Sequence, residues 1–142
     1  MANYNKFEPF IQRLANKEID WFGSTETYKV AIHTDAPDLA NDDDLADLTQ
    51  ISGANGYTTG GANITFNSTR SGGTVTATAT DVVFTASGGN LGNSTTGRYF
   101  GQYNDTHAND ALMNDYDYGS TFTVADGETM TVDYGASLAT LA

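Results

Sequence analysis

The chain has 142 residues, with six lysines and arginines against eighteen aspartates and glutamates, a formal net charge of −12, and no cysteine. Its length fits one domain that buries roughly two-thirds of its unfolded surface, and a 39% hydrophobic, 11% aromatic content excludes wholesale disorder. The acidic excess excludes direct contact with nucleic acid or an anionic membrane, both of which need clustered Lys and Arg, and the missing thiols exclude disulfides, zinc–thiolate sites and a cysteine nucleophile.

The opening residues, Met1–Phe10, have no basic region followed by an apolar run, so a secretory signal is not expected. No stretch approaches the roughly 18 apolar residues of a membrane span. Phe7, Phe10, Ile11 and Leu14 fall at i, i+3, i+4 and i+7, which predicts an amphipathic helix with Gln12, Arg13, Asn16 and Lys17 on its other faces. Asn5 is the candidate N-cap, Pro9 fits only the first turn, and Gly23 closes the segment. Four of the six basic residues (Lys6, Arg13, Lys17, Lys29) lie before residue 30. Residues 1–22 are therefore expected to form a helical segment and 23–142 a β domain.

After Gly23 the apolar period becomes two. Tyr28, Val30 and Ile32 alternate with Lys29, Ala31 and His33, predicting a half-buried strand that Asp35-Ala-Pro37-Asp38 ends. Asn41–Asp44 reads as a charged loop or helix start before Leu45, Leu48 and Ile51. Gly53–Gly56 and Gly60-Gly61 bracket Tyr57 in a turn-rich link. Strand signals follow at Ile64–Phe66, Thr74–Thr80, Val82–Phe84, Arg98–Tyr103 and Ala111–Tyr118. Thr121–Val124 and Glu128–Tyr134 flank Asp126-Gly127, which predicts a hairpin. Such spacing predicts a mainly β chain, an antiparallel β-sandwich or barrel of jelly-roll or Ig-like type, with one N-terminal α-helix.

Catalytic templates are not met. Gly88-Gly-Asn-Leu-Gly92-Asn-Ser lacks the lysine of a phosphate-binding loop, and His33 and His107 carry no sign of meeting. No enzymatic activity and no cofactor are expected, although Asp42, Asp43, Asp44 and Asp47, or Asp115 and Asp117, offer oxygen ligands for calcium without EF-hand spacing. Tyr99, Tyr103, Tyr116 and Tyr118 are candidates for stacking on a sugar, against the commoner role of strand aromatics in cores.

Across the chain, in order, stand Phe7–Leu14, Tyr28-Lys-Val-Ala-Ile32 with Ala36-Pro37, Leu45-Ala-Asp47 with Ala54–Thr58 and Gly60-Gly61, Val82–Gly89, Arg98-Tyr99 with Tyr103-Asn-Asp105, Asp117–Ser120, and Asp126-Gly-Glu128 before Val132-Asp133. On these segments the chain resembles small virion structural proteins of tailed bacteriophages, with Asn93–Gly97 and His107–Asn109 as departures. The resemblance implies a non-catalytic role in a particle assembled in a host bacterial cytoplasm. Capsid decoration by non-covalent binding to the major capsid protein is the first expectation. A neck or tail component and a host-glycan-binding module are the alternatives. The helix would then supply an assembly interface of Phe7, Phe10, Ile11 and Leu14 with Arg13 and Lys17. A homo-oligomer is expected, with no direct contact to nucleic acid or membrane. Packing of the same helix against the chain's own sandwich is the competing expectation.

Overall fold

The computed structural model describes residues 3–23 and 25–142. The first two residues of the expected helical segment, and Ser24, lie outside the described residues.

Short β-rich segments broken by glycine pair into antiparallel ladders throughout. Strand β1 (Asn3–Lys6) precedes helix α1 (Glu8–Ala15), and then come β2 (Tyr28–His33), β3 (Ala62–Ile64), β4 (Phe66–Ser71), β5 (Thr74–Ala79), β6 (Val82–Thr85), β7 (Gly97–Asn104), β8 (Ala111–Phe122), β9 (Thr129–Val132) and β10 (Ala139–Leu141). Five strands form one sheet in the order β1-β8-β7-β2-β3. The second layer is split into a three-stranded piece, β10-β5-β4, and the pair β6-β9. The fold is mainly β and sandwich-like, and no ladder closes a barrel among the described residues.

The main core lies between these layers. Tyr28, Val30, Ile32, Phe100 and Met113 meet Phe66, Ala77, Val82, Phe84 and Val132 there. Phe10, Ile19 and Trp21 join the same cluster, so the N-terminal segment shares the core of the β domain. A second cluster covers the opposite face of the five-stranded sheet, where Ala31, Tyr103 and Leu112 pack against Phe7, Leu45 and Leu48. The expectation of a half-buried β2 is thereby corrected. Ala31 and His33 are as inaccessible as Val30 and Ile32, because the long connection between β2 and β3 folds back over them. Gly61 permits that return. It has φ +78, and a Cβ there would fall on the Val30 carbonyl oxygen.

Helix α1 starts one residue after Phe7, an N-cap with no side-chain hydrogen bond, and Pro9 sits in its first turn as expected. Asn5 is not its cap, because that residue is paired with Asp115 inside β1. The Asp126-Gly127 hairpin is likewise corrected. The turn forms, with Glu128 N–H bonded to the Ala125 carbonyl, but β9 pairs with β6 rather than with the end of β8. Ala86 continues that pairing through bonds to Glu128 and Gly127. The segment before the turn bonds elsewhere, Val124 accepting from Leu91 N–H.

Candidate functional site

The expected assembly residues on α1 divide by direction. Phe7 and Phe10 are buried in the protein's own two core clusters, and Leu14 packs partly against the larger one. Arg13 faces the loop before Leu45. Its guanidinium donates to the Asp43 carbonyl and lies 3.3 Å from Asp44 Oδ1 and 3.6 Å from Asp43 Oδ2. Only Ile11, 42% exposed, and Lys17 remain outward. The apolar stripe therefore caps the sandwich, and its arginine closes on acids of the same chain.

Those acids have local partners as well. Asp47 Oδ2 accepts the N–H groups of Asp43 and Asp44 at 3.0 and 3.2 Å, a capping arrangement for the short 3-10 turn Leu45–Asp47. Asp42 Oδ2 accepts from Asp38 N–H at 2.7 Å. In the other acidic run, Asp117 forms a bidentate pair with Arg98 at 2.7 and 2.8 Å, which lowers its carboxyl pKa. Asp115 is fully buried and hydrogen-bonded to His33 Nε2 at 2.7 Å. The other ring nitrogen of His33 faces the Asp35 carbonyl at 3.0 Å, and Tyr99 stacks on the ring at 5.2 Å. This His33–Asp115 pair is packed into the sheet. His107 sits apart in its loop, 3.9 Å from Glu18.

The tyrosine candidates also separate. Tyr99 and Tyr103 are buried on the covered face, so neither offers a ring to solvent. Tyr116 and Tyr118 instead line a cavity of about 560 Å³ with Tyr4, Phe100, Tyr134 and Asp133. Rings meet there edge to face, Tyr4 against Tyr116 at 5.5 Å and 62°, and Tyr116 against Tyr134 at 5.6 Å and 65°. Its polar flank is a buried chain in which Tyr4 donates to Asn114 Oδ1 at 2.7 Å and Asn114 to Gln102 Oε1 at 3.3 Å. The Tyr134 hydroxyl is buried beside the Gln102 amide. Tyr4 and Tyr134 carried no sequence signal as site residues, because β1 and the last turn bring them to Tyr116 only in three dimensions.

The second feature missed in sequence is the β4–β5 hairpin. Two-residue register closes Ser71 on Thr74, and Gly72 at φ +58 supplies the positive φ a primed turn requires. Five of the six β4 residues, Asn67 to Ser71, are exposed on both faces. One face is a run of Asn67, Thr69, Thr76 and Thr78 across the ladder. Thr80 N–H bonds to the Thr65 carbonyl, which sets the ladder's phase and turns the N–H groups of Ser68 and Arg70 away from β5. No strand pairs that outer edge among the described residues. The Gly72-Gly73 pair within an alternating Thr-rich stretch is the sequence signal that marks it.

No protein-family model, curated protein or solved structure matches the chain. No helix among the described residues is long and apolar enough to cross a membrane.

Proposed function

We propose that this chain is a structural protein of a tailed-phage virion, a decoration protein that binds the major capsid protein without covalent chemistry on the outer surface of the head. The observation that carries the proposal is the β4–β5 hairpin. Strand β4 is exposed along Asn67–Ser71, and its open edge offers main-chain donors and acceptors to a neighbour's sheet. The ordered sequence resemblance supports the same role. So does the charge of −12, which is repelled by packed nucleic acid and disfavours the capsid interior. Copies on the particle would follow its local symmetry as a homo-oligomer, each clamping adjacent capsomers. Ile11 on the outer face of α1 and Lys17, just past the C-cap Asn16, are the residues of the expected helical interface that stay available for this contact.

The test is Ser68→Pro. Proline removes an outward N–H while the inward ladder of Asn67 and Thr69 to β5 is kept. The variant is expected to melt like the parent and to lose incorporation into particles. Undiminished incorporation would remove the hairpin edge from the mechanism.

A further inference from the structure

We propose that the tyrosine-lined cavity is a binding site for an organic cation, a quaternary or alkylated ammonium headgroup. The inference stands independently of any place in a virion. The cavity's 560 Å³ lies within the roughly 300–1,000 Å³ usual for small-molecule sites. Its walls are aromatic and meet at steep angles, 62° between Tyr4 and Tyr116 and 65° between Tyr116 and Tyr134. A ring's face, unlike its positive edge, attracts an organic cation, and four tyrosine rings line this cavity. A sugar ring instead needs one flat platform.

Charge selects in the same direction. Asp133 is the one charged side chain in the described lining, which holds no lysine, arginine or histidine. An anionic ligand would meet a carboxylate with no counter-charge, in a chain of net charge −12. A purely hydrocarbon ligand would fill the space without using Asp133, an exposed carboxylate whose Oδ1 accepts from Gly135 N–H at 2.8 Å. A cation with methyl groups meets the aromatic faces and the carboxylate together. Tyr118, 46% exposed, stands at the cavity as a ring that the core does not require.

The experiment is an NMR titration of the intact chain with choline chloride, with 3,3-dimethyl-1-butanol as an uncharged probe of the same shape and N-acetylglucosamine as a neutral sugar. Choline is expected to bind saturably, shifting resonances of Tyr4, Tyr116, Tyr118 and Tyr134, and to bind about tenfold more tightly than the alcohol. Tyr118→Ala is expected to weaken choline about tenfold, and Asp133→Asn severalfold. Both positions are exposed, so both variants are expected to keep the parent's melting profile. Equal affinity for choline and the alcohol would overturn the proposal, as would binding of the sugar without choline or the absence of saturable choline binding.

Discussion

His33 and Asp115 are both fully buried, so the 2.7 Å bond between them has no solvent to replace it. Removing one member leaves a buried ring nitrogen or carboxylate oxygen without its partner, which typically costs about 1–3 kcal/mol. Asp115→Ala is therefore expected to lower stability by that order in chemical denaturation. The double variant with His33→Ala is expected to lose less than the sum of the single losses, and strict additivity would contradict the coupling. The alternation of β2 is legible in sequence, but this partnership is not. Asp115 lies 82 positions away, and nothing local distinguishes a histidine in a covered strand from one facing water. Tyr57 gives a second prediction at this scale. Its hydroxyl accepts from Ile32 N–H at 3.1 Å and donates to Gln50 Oε1 at 3.0 Å. Burial pushes its pKa, and that of Tyr4, up to about 12. With the folded value raised, the neutral phenols contribute stability that is complete below about pH 10, the unfolded tyrosine value. That stability is lost as pH climbs towards 12. Tyr57→Phe is expected to cost about 1–3 kcal/mol at neutral pH and to flatten the fall in melting temperature between pH 10 and 12. An unchanged alkaline slope would contradict the assignment.

At the scale of elements, helix α1 shows how a correct periodicity leaves its partner open. The i, i+3, i+4, i+7 pattern is real, and it is satisfied by the sandwich, with Phe10 edge-on to Trp21 at 5.0 Å. Phe10→Ala is expected to cost about 3–5 kcal/mol. Ile11→Ala, one residue along and 42% exposed, is expected to stay within about 0.5 kcal/mol. Equal losses at the two positions would mean that the helix is docked by a different face. The Asp126-Gly127 turn carries a related lesson. A turn signal states that the chain reverses, and it does, but pairing belongs to whichever strand offers the better face. Here Val82 and Phe84 lie opposite Val132 and Met130, and β8 ends before the turn is reached. The hairpin at Gly72-Gly73 does pair locally, because its loop has only two residues and two strands of equal length flank it.

For the whole molecule, strands at short intervals separated by glycine, asparagine and aspartate made the mainly β, sandwich-like fold and its short N-terminal helix legible, whereas β1, β10 and the extension of β4 to Ser71 were not. The candidate cavity was legible only in part. Tyr116 and Tyr118 stood out as strand aromatics, whereas Tyr4, Tyr134 and Asp133 come from the two ends of the chain. Charge was legible as a total but not as a pattern. Arg13, Lys29 and Arg98 are closed on Asp44, Asp105 and Asp117, so the basic N-terminal region expected to reach a partner is partly neutralised at home. The outward features that remain are the hairpin edge, the outer face of α1 and an acidic surface, and the proposed role as a decoration protein rests on them. Quantitative mass spectrometry of purified particles, counting this chain against the major capsid protein, tests that account most directly. A copy number comparable to that of the major capsid protein is predicted. A handful of copies per particle, as in a neck or tail component, or none at all, would contradict it.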